Sequence, residues 1–280
     1  MKKIIWISSY PKSGNTWIRY LIANYFFNSE RKFDQKIIGN IKKFPVDDLI
    51  KKISTKKELI ENPYNISKYW IKSQELMKVI KGNVVFLKNH NALVSINKND
   101  FTNENYSLAA IYIVRDPRDV VISYAKYRNL SYDRCIEQLC SKKLFYLLDI
   151  KEDFPRIEIL GSWKFHYTSW RDGVPNMPKI IVKYEDLLDN CYNNFYKIID
   201  FLSKILGFEI NIEQLKFSIE FSNFEKLQKD EKKLGFFENS GNTNFFRSGN
   251  KEYWKNELSI SQIKKIEEEF NEEMKILGYK

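Results

Sequence analysis

The sequence is short of the residues from which metal and disulfide sites are built. It has three cysteines, Cys135, Cys140 and Cys191, and two histidines, His90 and His166. The cysteines lack a CxxC or Cys/His ligand spacing, so we expect no structural zinc and no other bound metal. Their small, odd number also predicts a reduced, cytoplasmic setting.

The chain also lacks long apolar runs, internal repeats and Gly/Ser-rich linkers. No stretch is apolar for long enough to predict stable membrane insertion. The apolar run that begins at Ile4 stops at Ser8, which is typical of a first strand and not of an export signal. Without repeats or linkers, we expect one domain over residues 1–280.

Positive charge and apolar residues, by contrast, are plentiful. Hydrophobic residues make up 43% of the chain, which is enough to fill a core and argues against disorder. The formal net charge of +10 favours an anionic partner, such as nucleic acid, a membrane surface or a polyanionic small molecule. Lysine pairs such as Lys42-Lys43 are equally typical of solvated helix faces, so the charge alone does not select a partner.

Four short runs rich in β-branched residues predict buried strands, at 4–7, 84–87, 109–114 and 180–182. They lack period-two alternation, as expected for strands covered on both faces of a parallel sheet. Helical patterns at 16–27, 119–127 and 187–206 follow the first, third and fourth of these strands. This alternation predicts an α/β fold with a P-loop-like, doubly wound parallel sheet flanked by helices.

Two further regions complete the predicted organisation. Residues 29–81 form a polar, lysine-rich insertion between the first two predicted strands, with helical pieces near 46–53 and 74–80. Residues 259–277 carry apolar side chains at the spacing of one amphipathic helix. Such an insertion often carries substrate contacts.

The first predicted strand runs into the segment SSYPKSGNTW at residues 8–17. A strand, a small-residue turn and a helix place free backbone N–H groups and the positive end of the helix dipole around an anion. Lys12 adds a cation, and Ser13 and Thr16 add hydroxyl groups. The segment is not a GxxxxGK[ST] nucleotide loop, because its lysine precedes its one glycine, Gly14.

The third predicted strand runs into the segment YIVRDPRDVVISY at residues 112–124. Asp116-Pro117 predicts a helix start, which places Arg115 at the carboxyl end of a strand, where ligands of open α/β sheets bind. Ser123 lies about two helical turns further on. The planar fork of an arginine and the hydroxyl of a serine suit a phosphate dianion, and the alternative is a local pair between Arg115 and Asp119.

Together the two segments resemble the PAPS-dependent sulfotransferases, the cytosolic-type family shared by animals and bacteria, of which this chain looks like a bacterial member. PAPS is 3′-phosphoadenosine 5′-phosphosulfate, and its product PAP is adenosine 3′,5′-bisphosphate. The resemblance implies that the 5′-phosphosulfate lies against Lys12, Ser13, Gly14, Asn15, Thr16 and Trp17. Lys12 would contact the bridging region, Trp17 would stack on the adenine, and Arg115 and Ser123 would hold the 3′-phosphate. The resemblance makes Arg118 and Asp119 structural.

A third segment, FFRSGNKEYWKN at residues 245–256, resembles the family's Arg-Lys-Gly loop over the 3′-phosphate. Phe246, Arg247 and Gly249 match it, whereas Ser248 replaces the usual lysine. The loss of one cation predicts weaker binding of the 3′-phosphate, which Ser248→Lys should strengthen. Fewer residues support the adenine contacts that the resemblance assigns to Tyr184, Ser222 and Phe224, and Ser222 alternatively caps the following helix.

The segment Lys88-Asn89-His90 resembles the family's Lys-Thr-His. The resemblance implies that His90 is the general base, and a neutral imidazole can accept the proton of an attacking hydroxyl at neutral pH. Lys12 and Lys88 are the candidate cations for the charge that grows on the leaving phosphate, and Ser123 would restrain Lys12. We assign His166 to packing and give it no catalytic role.

Two other functions stay open at this stage. A P-loop kinase of small molecules shares the fold and the anion loop, but it needs ATP, magnesium and an acidic ligand that we do not find. A nucleic-acid-binding protein would fit the charge, but no RNA-binding signature is present, and we expect no nucleic-acid partner. The acceptor is expected to be a small molecule or a glycan, and the sequence leaves the oligomeric state open.

Overall fold

The computed structural model describes residues 4–77, 84–151, 154–236, 238, 246, 249 and 251–280. The strands are β1 Ile4–Ser9, β2 Lys42–Lys43, β3 Val85–Asn89, β4 Ser95–Ile96, β5 Asn99–Asp100, β6 Ser107–Val114, β7 Phe145–Lys151, β8 Phe154–Leu160 and β9 Lys179–Lys183. The α-helices are α1 Asn15–Phe27, α2 Asp47–Ile53, α3 Lys56–Glu61, α4 Trp70–Glu75, α5 Pro117–Arg128, α6 Tyr132–Leu139, α7 Trp163–Asp172, α8 Tyr184–Asp189, α9 Cys191–Leu206, α10 Ile212–Phe221, α11 Phe224–Leu234, α12 Trp254–Glu257, α13 Ile260–Glu269 and α14 Asn271–Ile276. Two 3₁₀ helices span Gln35–Asn40 and Pro63–Tyr69.

The chain forms two compact units, each built from three separate segments. The first, which we call the sheet unit, comprises residues 1–10, 41–113 and 140–181. The second, the helical unit, comprises residues 11–40, 114–139 and 182–280. The expectation of one domain over 1–280 stays a prediction, and each unit is described by itself below.

A five-stranded sheet in the order β2-β3-β1-β6-β9 is the framework of the sheet unit. The central strand β1 pairs in parallel with both β3 and β6, and β2 pairs in parallel with β3. All six residues of β1 are buried, which explains why its sequence is apolar without alternation. The predicted α/β class with a parallel sheet is confirmed, and each of the four predicted strands is present with ends shifted by one or two residues.

The sheet unit also holds an antiparallel hairpin, β7–β8, which we did not predict. Pro155 lies inside β8, and a proline inside a run normally argues against a strand. The helix predicted at 74–80 was misplaced: α4 ends at Glu75, and residues 78–80 lie outside the described part of the chain. The polar insertion at 29–81 contains β2 as well as the short helices that we expected.

In the helical unit, two predicted long helices are each divided in two. Asn190 separates α8 from α9, and its side chain caps α9 by accepting a hydrogen bond from Asn193 N at 3.0 Å. Phe270 separates α13 from α14. The predicted start of α5 is confirmed, since Asp116 caps it and Pro117 is its first residue. Across the described residues, no helix is both long and apolar enough to span a membrane.

Candidate functional site

The loop between β1 and α1, for which anion binding is predicted, contains two residues with positive φ. Gly14 precedes α1 with φ 96°, and Lys12 has φ 67°, a left-handed conformation that is uncommon for a residue with a side chain. A Cβ at Gly14 would overlap the ring of Tyr184. Two features therefore require glycine at this position: the positive φ and the close approach of the Tyr184 ring.

Ser13, Asn15 and Thr16 lie buried in this loop and in the first turn of α1. Ser13 is fully buried, and its hydroxyl has no hydrogen-bond partner among the residues that the structure describes. A buried hydroxyl without a partner costs about 1–3 kcal/mol. An oxygen atom of a bound anion would satisfy it, so the loop fits the phosphosulfate that the resemblance implies.

Arg115 connects the two segments for which phosphate binding is predicted. Its Nη1 donates a hydrogen bond to the carbonyl oxygen of Lys12 at 3.2 Å, and its guanidinium lies 4.5 Å from the ring centre of Tyr184. Lys12 Nζ lies 4.4 Å from the ring centre of Tyr127 on α5. Ser123 is half-buried on the same helix. The helical unit thus brings both predicted anion-binding segments together.

Three of the residues assigned to adenine also lie together in the helical unit. The indole Nε1 of Trp17 donates to the carbonyl oxygen of Ser222 at 2.8 Å, and its ring meets that of Tyr184 edge-on at 5.8 Å. The Ser222 hydroxyl accepts a hydrogen bond from Asn24 at 3.2 Å. The alternative role of Ser222 as an N-cap is wrong, because Asn223 caps α11.

The described part of the third motif packs on α11. Gly249 has φ 60°, and a Cβ there would lie 2.7 Å from the ring of Phe224. Phe224 in turn meets Phe246 edge-on at 5.9 Å. Arg247 and Ser248 lie outside the described residues, so their contacts with a 3′-phosphate, and the effect of Ser248→Lys, stay predictions.

Arg118 and Asp119 hold the carboxy-terminal segment against the start of α5. Arg118 forms a bidentate ion pair with Asp116 and donates to the carbonyl oxygen of Tyr279 at 2.8 Å. The Asp119 carboxylate accepts from the backbone N–H groups of Glu252 at 2.8 Å and of Trp254 at 3.1 Å. These contacts with protein groups support the structural role that we expected for both side chains.

Tyr279 makes two further contacts in the same place. Its hydroxyl donates to Glu185 at 2.8 Å, and its ring lies 4.7 Å from Lys183 Nζ. Glu185 also accepts from the backbone N–H of Asp116 at 3.0 Å. Glu185 therefore links Asp116, which directly follows Arg115, to Tyr279.

His90 follows β3 in the sheet unit and is half-buried. Its Nδ1 lies 2.8 Å from the carbonyl oxygen of Ser9. A carbonyl can only accept, so Nδ1 carries the proton and Nε2 carries the lone pair. Burial lowers the pKa of His90 to about 3, so the ring is neutral at pH 7. A neutral ring with a fixed tautomer can accept a proton at Nε2.

A buried carboxylate and two lysines lie close enough to His90 to influence its pKa, and we did not predict this charge cluster from the sequence. Lys43 on β2 stands beside Lys88 on β3, and its Nζ lies 3.1 Å from Oε1 of Glu158 on β8. Burial alone raises the pKa of Glu158, but Lys43, His90 and Lys88 lower it to about 2. The one available signal was a glutamate between two isoleucines, Ile157 and Ile159, in a strand-like run.

The fold is that of an α/β protein in which a loop with positive φ at Lys12 and Gly14 follows the first strand of a parallel sheet. The chain matches the family model "Sulfotransferase domain" over residues 2–278, so it belongs to the sulfotransferase family. Family membership makes it a PAPS-dependent sulfotransferase, and this selects sulfuryl transfer over the kinase alternative.

Curated relatives match almost the whole chain at low identity. The amine sulfotransferase of Oryctolagus cuniculus is 24% identical over 280 residues, which cover 97% of this chain and 80% of the relative. The 3-beta-hydroxysteroid sulfotransferase of Cavia porcellus is also 24% identical, with 95% of this chain and 82% of the relative covered.

Solved structures share the fold. Mouse sulfotransferase SULT7A1 complexed with PAP superposes with a TM-score of 0.59 at 20% identity and covers 98% of this chain and 85% of its own. Retinol dehydratase in complex with androsterone and inactive cofactor PAP gives a TM-score of 0.62 at 19% identity, with 97% and 80% covered.

Proposed function

We propose that the enzyme transfers a sulfuryl group from PAPS to an acceptor hydroxyl or amine in one in-line step. A bond forms between the sulfur and the acceptor atom, and the bond from the sulfur to the 5′-phosphate oxygen breaks. The acceptor proton passes to Nε2 of His90. The products are the sulfated acceptor and PAP, and no metal ion takes part.

The residues of the helical unit are proposed to bind the nucleotide. Lys12 and the loop N–H groups contact the 5′-phosphosulfate, and Arg115 and Ser123 hold the 3′-phosphate. Lys12 stabilises the charge that grows on the leaving phosphate, with Lys88 as a second cation. The hydrogen bond from Arg115 to Lys12 supports this proposal, because the two segments proposed to bind the two phosphate ends are joined by it, as one doubly phosphorylated nucleotide requires.

The acceptor is proposed to be a small molecule or a glycan. Relatives named for amine and hydroxysteroid sulfation support both acceptor chemistries, without choosing between them. We also propose that the enzyme is cytoplasmic, from its few cysteines, and bacterial, from the resemblance of its motifs. Labelled PAPS incubated with host extract, followed by identification of the sulfated product, would identify the acceptor.

Nucleotide choice is tested by thermal shift with PAP, with ATP plus magnesium, and with an oligonucleotide. We expect PAP alone to raise the melting temperature clearly. A comparable shift with ATP and magnesium would support the kinase alternative. An oligonucleotide shift that fades steeply with salt would support nucleic-acid binding.

The catalytic roles are tested by turnover of His90→Ala and Lys12→Ala. The assay uses as acceptor either the compound identified in the extract or the compound that is sulfated fastest in a panel of phenols, alcohols and amines. We expect His90→Ala to lose about 10²–10⁴-fold and Lys12→Ala about 10²–10³-fold in kcat. The exposed Lys36 gives a matched control, Lys36→Ala, which should keep full turnover. Near-normal turnover of both active-site variants would refute the assigned roles.

A further inference from the structure

The carbonyl oxygen of His90 is itself held by a second histidine. His166 lies on α7, is fully buried, and places its Nε2 at 3.0 Å from His90 O. Since a carbonyl only accepts, Nε2 of His166 carries a proton and donates it. The other ring nitrogen, Nδ1, is 2.8 Å from the hydroxyl of Tyr112 on β6, which therefore donates to it. Both nitrogens of His166 are thus used in one chain of hydrogen bonds that ends at His90.

The same face of α7 holds the residues that follow His90. Trp170 Nε1 donates to the carbonyl oxygen of Asn91 at 2.9 Å, and Ser169 Oγ accepts from the N–H of Leu93 at 3.0 Å. Residues 169 and 170 lie three and four positions after residue 166, so both share a helical face with it. A Cβ at Gly173, one turn further on, would overlap the Leu93 side chain. We call the segment 90–93 the histidine loop. This face of α7 therefore contacts the histidine loop at residues 90, 91 and 93.

Strands β8 and β1 also contact the histidine loop. Asn91 Oδ1 accepts from Ile159 N at 2.7 Å, and Ala92 N donates to Ile159 O at 2.8 Å. The His90 ring is held separately, by the carbonyl oxygen of Ser9. The backbone and the ring of His90 thus have different anchors, and His166 supplies the backbone anchor at the residue itself.

A buried histidine with two satisfied nitrogens is often only part of a core. Here, however, burial lowers the pKa of His166 to about 4, so the ring is neutral and each nitrogen has one fixed role. If His166 merely filled space, its donor could bond any buried carbonyl. It bonds the carbonyl of the residue whose ring is proposed to accept the proton. A displacement of about 1 Å at such a group can cost about 10²-fold in rate.

We propose that His166 is a positioning residue for His90, which it holds by its carbonyl so that Nε2 of His90 points to the acceptor. This inference rests on the proposed role of His90 as the general base. His166 contacts neither the acceptor nor the sulfuryl group in this scheme. It acts through the backbone of the histidine loop.

Two substitutions at the same position separate positioning from packing. His166→Phe removes both hydrogen bonds, and we expect kcat to fall about 10- to 100-fold with the KM for PAPS changed less than about 2-fold. His166→Gln places an amide N–H where Nε2 stood, and we expect it to restore kcat to within about 5-fold of the wild type. Should the Phe variant not fold, His166→Asn replaces it, because the shorter amide cannot reach the His90 carbonyl.

Two controls test whether a loss comes from general destabilisation. Trp163→Phe alters another buried ring of α7, which stacks on Tyr167, and we expect a lower melting temperature with kcat unchanged. Tyr112→Phe leaves the donor to His90 in place, and we expect a smaller loss of kcat than in His166→Phe. Equal kcat losses in Trp163→Phe and His166→Phe at equal melting temperatures would overturn the proposal.

A second measurement does not depend on turnover. The chain has two histidines, so ¹⁵N-labelled imidazole signals can be assigned by substituting either one. We expect His90 to show one neutral tautomer, with the proton on Nδ1, in the wild type and in His166→Gln. In His166→Phe we expect broadened signals or a mixture of tautomers. Unchanged His90 signals and unchanged kcat in a folded His166→Phe variant would overturn the proposal.

The two proposals fail in different ways. If His90→Ala keeps its turnover, His90 is not the base, and the proposed catalytic role is lost. The imidazole signals still show in that case whether His166 orders His90. If His90→Ala is inactive while His166→Phe is fully active, His90 keeps its role and the positioning proposal fails alone.

Discussion

Arg115 donates a hydrogen bond to the carbonyl oxygen of Lys12 at 3.2 Å, although the two residues belong to different sequence motifs. One motif follows β1 and the other follows β6. The hydrogen bond places a guanidinium beside a lysine whose backbone is left-handed, with φ 67°. A cationic side chain in each of the two motifs favours an anionic ligand.

Removal of Arg115 should therefore weaken binding of the 3′-phosphate selectively. We expect Arg115→Ala to bind PAP about 10- to 100-fold more weakly, because a hydrogen bond to a charged group contributes about 1.5–3 kcal/mol. Adenosine 5′-phosphate lacks the 3′-phosphate, so its affinity should change little. Isothermal titration calorimetry with both nucleotides measures the difference, and an equal loss for the two would contradict the assignment.

Gly14 offers a test of the loop itself. Gly14→Ala forces a side chain into a positive φ, which costs about 1–2 kcal/mol, and drives a methyl group into the Tyr184 ring. We expect a lower melting temperature and a loss of PAP affinity. Gly207 is the matched control, since it has φ 70° with open space around its Cβ position. Gly207→Ala should lose only the stability that the positive φ costs, and it should leave PAP affinity unchanged.

The protonation of His90 should be insensitive to mild acid. Because burial lowers its pKa to about 3, the ring is neutral above that pH and is protonated only below it. A ¹⁵N titration in the His166→Gln background should show no protonation of His90 between pH 8 and pH 5. Lys43 lowers this pKa, so Lys43→Met should move the titration to higher pH. A wild-type midpoint near 6.5 would show that the ring is solvated.

The Lys43–Glu158 pair should stabilise the sheet unit as a coupled pair. Glu158 is 8% exposed, so its charge depends on a partner, whereas the Lys43 side chain is 35% exposed and keeps some solvation. We expect Lys43→Met or Glu158→Gln to cost about 2 kcal/mol, after a discount for that exposure. The double variant should cost less than the sum of the two. Additive losses in urea unfolding would show that the pair contributes no coupling energy.

The pH dependence of this pair has a defined sign. The pKa of Glu158 is about 2 in the folded protein, below its ordinary value. The folded protein therefore holds fewer protons than the unfolded chain between pH 4.5 and pH 2. The contribution of Glu158 is complete above pH 4.5 and is lost as the pH falls through this window. Unfolding of Glu158→Gln should lack that part of the acid sensitivity.

The sequence predicted the local structure of those parts of the candidate site that are continuous along the chain. The loop from Lys12 to Trp17 and the start of α5 at Pro117 depend on local spacing, on one glycine and on one proline. Their positions relative to the neighbouring strands follow from short connections. These features could therefore be predicted from the sequence alone.

The residues that the sequence did not reveal are joined only by tertiary pairing. Lys43 and Glu158 meet because β2 lies beside β3 and because β8 returns through an unpredicted hairpin. His166 was assigned to packing because its spacing on α7 shows a buried face but not which carbonyl that face meets. Side-chain partners across elements depend on register, which local patterns do not fix.

The anchoring of Tyr279 has a practical consequence for purification. Its carbonyl and its hydroxyl are both engaged, with Arg118 and Glu185, one residue before position 280. A tag attached directly after residue 280 would disturb Arg118 and Glu185, the side chains that contact Tyr279 next to the segment at Arg115. A flexible spacer before such a tag should preserve PAP affinity, and a tag without one should reduce it.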